Sequence, residues 1–120
     1  MDELRGSIML IEVLKSKLHN AVVTDANLEY KGSISIDPVL YKKAGFFRHE
    51  KVDVLNLNNG SRLTTYIIEG QPGEICLNGA AARLAQKGDR VIIVSYAQID
   101  AAEAESWEPN IVILKEGNKL

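Results

Sequence analysis

Short apolar runs cut by strong turn signals limit what this chain can fold into. Asn59-Gly60, Gly70-Gln71-Pro72-Gly73 and Lys87-Gly88-Asp89 each interrupt a stretch of alternating or β-branched residues. Glycine, proline, asparagine and aspartate hold the backbone angles of tight turns, so the segments between them are short strands or short helices. Lys51 to Leu57 sets Val52 and Val54 against Lys51, Asp53 and Leu55, the two-residue period of a strand with one buried face. Arg62 to Ile68 follows Asn59-Gly60 as the returning arm of a hairpin. Ser33 to Ile36, Glu74 to Leu77, the Val- and Ile-rich Arg90 to Ala97, and Ile111 to Leu114 read as further strands. Ile8 to Thr24 reads as one long or broken strand, and Asp25-Ala26-Asn27 has the composition of a turn. Helix signals are few. Asp37 caps, Pro38 suits the first helical position and Gly45 ends one helix. Asn78 before Ala80-Ala81-Ala82 predicts a capped helical turn, and Asp100 with Glu103 starts a short helix reaching about Trp107. Many short strands with small helices predict a closed, mostly β fold.

Bulk properties exclude several classes of function. The 120 residues fit one domain, large enough for a real core but not for a deep isolated active site. Sites shared between subunits are a common solution at this size. A net charge of -2 gives no basic footprint for nucleic acid. No apolar run is long enough to span a membrane, and Met1-Asp2-Glu3-Leu4-Arg5 is mixed-charge and lacks a signal-peptide pattern. Met1 to Ser7 reads as a loose leader, with Met9 as an alternative start. Cys76 is the only cysteine, which suits a cytoplasmic protein, and its place between Ile75 and Leu77 makes it a small core hydrophobe. The histidines and the cysteine lack metal-ligand spacing, so no metal is expected.

One dipeptide carries chemistry. Gly-Ser occurs at Gly6-Ser7, Gly32-Ser33 and Gly60-Ser61. A serine hydroxyl lies one short arm from the preceding carbonyl carbon, so a strained Gly-Ser peptide is open to attack by its own side chain. By composition alone each is a turn. Gly32-Ser33 differs because it opens the alternation Ser33-Ile34-Ser35-Ile36.

The residues around it extend the pattern. Lys17-Leu18-His19, Thr24 to Asp37, Asn59-Gly60-Ser61-Arg62-Leu63-Thr64-Thr65-Tyr66, Ile75-Cys76-Leu77-Asn78-Gly79-Ala80-Ala81-Ala82, Gly88-Asp89 and Trp107-Glu108-Pro109-Asn110-Ile111-Val112 follow one another in the order found in a known family. From Met9 to about Asn118 the chain resembles the pyruvoyl-dependent aspartate 1-decarboxylases. The resemblance implies a double-psi β-barrel assembled as a homotetramer, with active sites between subunits. It implies self-cleavage into chains 1–32 and 33–120, with Ser33 converted to an N-terminal pyruvoyl group. That group would form a Schiff base with L-aspartate and release CO2 and β-alanine for pantothenate synthesis, without pyridoxal phosphate.

The same resemblance suggests roles. Tyr66 resembles the proton donor, and Thr65 the residue that polarises the Gly32 carbonyl and contacts substrate. Lys17 and Arg62 resemble carboxylate-binding cations. Arg62 has a planar fork suited to the side-chain carboxylate, since a firm grip on the departing α-carboxylate would oppose decarboxylation. Gly79, Ala80 and Ala81 resemble a substrate-binding segment that offers backbone N–H groups. Asn78, Tyr30 and His19 resemble supporting residues. Arg62, Thr64 and Tyr66 share one face of a strand and Thr65 the other, so one site holding both Thr65 and Tyr66 requires a bulge, strong twist or subunit sharing. Leu55 stands where some members carry Trp. The end of the chain soon after its last strand implies weak or absent dependence on an activator protein of the kind some enteric members use. Alternatives are the same enzyme acting on another acidic amino acid such as glutamate, and an uncleaved barrel acting as a binding module.

Overall fold

A computed structural model describes residues 8–120, so the leader Met1 to Ser7 lies outside the described residues. Eight strands form one hydrogen-bonded order: β1 (Leu10–Val22), β2 (Asp25–Asn27), β3 (Ser33–Ile36), β4 (Lys51–Asn56), β5 (Arg62–Glu69), β6 (Ile75–Asn78), β7 (Arg90–Asp100) and β8 (Asn110–Ile113). They run side by side as β2-β6-β3-β5-β4-β7-β1-β8. Strand pairing does not close this sheet into a ring. The chain itself does so, because β1 runs into β2 through Val23 and Thr24 alone. Val23 N–H donates to the Asp89 carbonyl at the foot of β7, and Thr24 N–H donates to the Ile75 carbonyl at the head of β6. β8 lies outside this ring, parallel to β1.

The interior follows the two-residue period. Leu18, Ile34, Ile36, Val52, Val54, Ile67, Ile75, Leu77, Val91 and Ile93 are buried and form one apolar cluster. The β4–β5 hairpin pairs without a register break, and its exposed face carries Arg62, Thr64 and Tyr66 while Leu63, Thr65 and Ile67 point inward. β1 is one long strand, whose register with β7 shifts between Leu14 and Ser16 and between Leu18 and Ala21.

Helix α1 (Pro38–Lys43) has the expected ends. Asp37 accepts from Val39 N–H at 2.9 Å, Pro38 opens the helix, and Gly45 follows in the left-handed region at φ 82°. Asp37 also accepts from Gly73 N–H at 2.7 Å, tying the helix to the β5–β6 turn. The segments Gly79–Leu84 and Ala101–Ser106 are 3-10 helices.

Two expectations are corrected. Asp25-Ala26-Asn27 is strand β2, because parallel pairing with Cys76, Leu77 and Asn78 overrides its turn composition. Asn78 does not cap the following helix with its side chain; its amide is held by residues of β3.

Candidate active site

Ser33 opens β3 and is 1% exposed. The antiparallel β3–β6 ladder pairs Ser33 with Asn78 and Ser35 with Cys76, so these four side chains share one face. Ile34, Ile36, Ile75 and Leu77, all fully buried, fill the other face toward the barrel interior. The Asn78 amide donates to Ser33 Oγ at 3.0 Å and to Ser35 Oγ at 2.9 Å. Ser33 O–H donates to the Lys31 carbonyl at 3.2 Å.

Gly79 lies directly against the Gly-Ser peptide. Its φ is +64°, and a Cβ there would sit 2.7 Å from both Cα and N of Gly32 and 2.9 Å from the Tyr30 carbonyl oxygen. Only glycine allows this approach at this backbone angle.

β3 pairs with β5 only over Ile34–Ile36 against Ile67–Glu69. Continuing that register puts Gly32 beside Thr65. Before Ile67, β5 has β4 on one side and an open edge on the other. The segment Gly79–Leu84 crosses this edge and leaves a cleft of about 340 Å³ lined by Gly32, Leu63, Thr64, Thr65, Tyr66, Ala80, Ala81 and Leu84. Thr65 and Tyr66 therefore reach one cavity without a bulge, because the cavity lies at the strand's edge. Larger hollows elsewhere, such as one of about 490 Å³ around Asn58 and Arg83, do not touch Gly32.

The other expected residues are arranged differently. Arg62 is exposed at the start of β5, opposite Leu55, and does not line the cleft. Lys17 sits on β1 between Val94 and Ile111, and the row Lys17–Val94–Asp53–Thr64 puts it three strands from β5, roughly 14 Å. His19 lies beside it opposite Ile113, with Nδ1 buried and unpartnered among the described residues. Tyr30 is half exposed and faces a smaller polar hollow with Asn27, Ser35 and Asn78.

Several site features were not found from the sequence. His49, held at φ 74°, sets its ring edge-on to Tyr66 with centroids 6.5 Å apart. Leu84, whose carbonyl anchors the far end of the crossing segment, accepts from Asn56 Nδ2, Asn59 Nδ2 and Ser61 Oγ at 3.0–3.1 Å. Buried Asn56 also donates to Asp89 at 2.8 Å. A polar residue at an inward position of β4 was the available signal for Asn56. Cys76 is buried as expected. Desolvation pushes its thiol pKa up, the Glu74 and Asp25 carboxylates add to this, and the hydrogen bond with the Asn27 backbone opposes it. No group of three or more potential metal ligands occurs among the described residues.

A seven-strand ring closed by its own chain, with a Gly-Ser peptide held between an amide and a glycine at the mouth of a strand-edge cleft, fits the double-psi β-barrel decarboxylases, the class that the family match identifies. The family model for aspartate decarboxylase matches residues 9–120. The chain is 58% identical to the aspartate 1-decarboxylase of Campylobacter hominis over 92% of this chain and 97% of the relative. It is 55% identical to that of Maricaulis maris over 93% and 94%, and 54% identical to that of Caldicellulosiruptor bescii over 93% and 89%. The chain belongs to the aspartate decarboxylase family.

Proposed function

We propose that this chain is a cytoplasmic aspartate 1-decarboxylase that cleaves itself between Gly32 and Ser33 and carries a pyruvoyl group made from Ser33. The observation that carries the reading is the close seat of Gly32 on Gly79, with the Ser33 hydroxyl engaged by Asn78 beside a cleft lined by Thr65 and Tyr66. A group built at position 33 fits these residues. Glycine at 79 leaves room for the backbone there, and the Asn78 amide addresses the atom that must react.

Cleavage uses the chain's own atoms. Ser33 Oγ adds to the Gly32 carbonyl carbon, the Gly32–Ser33 C–N bond breaks, and an ester with a free Ser33 amine results. Loss of the Ser33 Cα proton with cleavage of the Cβ–O bond frees the Gly32 carboxylate and leaves dehydroalanine. Its imine tautomer takes up water and releases ammonia. Thr65 O–H donates to the oxyanion formed in the first step; loss of one such donor typically costs ~10²–10³ in rate.

The pyruvoyl group supplies a ketone for the substrate amine and an electron sink when CO2 departs. The backbone N–H groups of Gly79, Ala80 and Ala81 orient L-aspartate in the cleft. Tyr66 returns a proton to the α-carbon. Arg62, exposed on the β4–β5 face, and Lys17 from a neighbouring subunit of a homotetramer bind the two carboxylates. The product is β-alanine.

The test is intact mass under denaturing conditions. Two chains, 1–32 and 33–120, are expected, the larger lacking a free α-amino group. Ser33→Ala remains one chain and forms no β-alanine. A parent chain that stays whole after prolonged warm incubation overturns the reading.

A further inference from the structure

The residues on the outer face of the β3–β6 ladder do more than fill space beside Ser33. We infer that Ser35 and Cys76 are positioning residues that hold the Asn78 amide in the orientation required for cleavage at Gly32-Ser33. The inference rests on the self-cleavage proposed above.

The geometry constrains the protons shared by Ser33 and Asn78. Ser33 has one hydroxyl proton, and it is directed to the Lys31 carbonyl at 3.2 Å. Its contact with Asn78 must therefore be one in which Ser33 Oγ accepts and the amide NH2 donates. The second Nδ2 proton goes to Ser35 Oγ at 2.9 Å. The amide oxygen then faces Cys76 Sγ at 3.3 Å and accepts from its thiol. Burial keeps this thiol protonated in the neutral range, so it stays a donor. A flipped amide would set two N–H groups against the S–H donor and its oxygen against Ser33 Oγ, whose proton is already engaged. Cys76 thus favours one of two nearly isosteric orientations, the one that gives Ser33 a donor, and Ser35, whose hydroxyl pairs with the neighbouring amide proton, anchors the amide in place. That donor fixes Ser33 Oγ for attack on the Gly32 carbonyl carbon, while the hydroxyl proton passes to the departing Ser33 nitrogen and the negative charge forms on the Gly32 carbonyl oxygen.

Burial makes the selection effective. Ser33, Asn78, Cys76 and Ser35 are between 1% and 8% exposed, so water does not compete well for the amide. The alternation that sends Ile34 and Ile75 into the core sends Ser35 and Cys76 to Asn78, whose own pairing opposite Ser33 is fixed by the ladder.

The experiment follows cleavage by intact mass in protein made by cell-free synthesis. Ser35→Ala and Cys76→Ala each should slow cleavage about 5-fold, the worth of one buried hydrogen bond. Cys76→Ser keeps a donor and should restore most of the parent rate. Ile34→Val trims the opposite face of the same ladder and should cleave at the parent rate despite a lower Tm. Once cleaved, Ser35→Ala protein should match the parent in kcat and KM for aspartate. Variants that cleave at the parent rate overturn the inference. So does slowing that tracks loss of Tm in Ile34→Val as well, or a Cys76→Ser variant as slow as Cys76→Ala. A parent that stays whole overturns the cleavage reading and this inference together. A parent that cleaves while Ser35→Ala and Cys76→Ala keep pace overturns this inference alone.

Discussion

At the residue scale, the proposed mechanism gives neighbouring side chains on β5 different tasks. Thr65 points inward and Tyr66 outward, yet both border the cleft at the open edge of the strand. Tyr66→Phe keeps the ring and its contact with His49 but loses the proton. It is expected to cleave normally and release little β-alanine; turnover at the parent's rate would remove Tyr66 as proton donor. Thr65→Val keeps the shape and loses the hydroxyl, so it should accumulate as uncleaved precursor, read by chain mass. Gly79→Ala tests the seat of the Gly-Ser peptide. Its Cβ would collide with Gly32 backbone atoms, which are not the end of a flexible side chain. Displacing reacting atoms by about 1 Å can cost on the order of 10²-fold in rate, so cleavage should be slowed by about that factor. The sequence made Gly32, Thr65, Tyr66, Ala80 and Ala81 recognisable through motifs, and the fold brings them to one cleft. His49 was not recognisable, because its contact depends on a left-handed backbone that no local pattern around Arg48-His49-Glu50 announces.

At the scale of elements, legibility followed how local each signal was. Helix α1 was readable from Asp37, Pro38 and Gly45 because a cap acts within one turn. Its Asp37 carboxylate also holds Gly73 N–H, so Asp37→Ala should cost about 1–2 kcal/mol, measured as a lower denaturant midpoint with cleavage intact. A midpoint equal to the parent's would contradict this. Strand β2 was misread because Asp25-Ala26-Asn27 has poor strand propensity and is held by a distant partner in the sequence, β6. Asn78 was misread for a related reason. Asparagine before a helical turn is the common capping pattern, and only the long-range pairing of β3 with β6 reveals that its amide is already engaged.

At the scale of the whole molecule, the residues assigned to the proposed site fall in two places. Ser33, Thr65 and Tyr66 gather at one strand edge, while Lys17 lies three strands away on β1. A lysine side chain cannot reach across roughly 14 Å of sheet to a small amino acid in the cleft. If Lys17 binds substrate, it must come from another copy of the chain. The exposed Ile111 and Ile113 on edge strand β8, beside Lys17, supply apolar surface for such an assembly. Complementation gives the test. Lys17→Ala and Tyr66→Phe chains should each be nearly inactive alone. Co-expressed in equal amounts, they should form mixed assemblies in which about a quarter of the sites draw an intact Lys17 from one chain and an intact Tyr66 from its neighbour. Activity should therefore recover to about a quarter of the parent's, while the assembly mass by light scattering stays unchanged. A site built within one chain gives no recovery, since no chain in the mixture carries both residues. No recovery, with mixed assemblies verified by differential tagging, would return Lys17 to the role of a structural charge on β1.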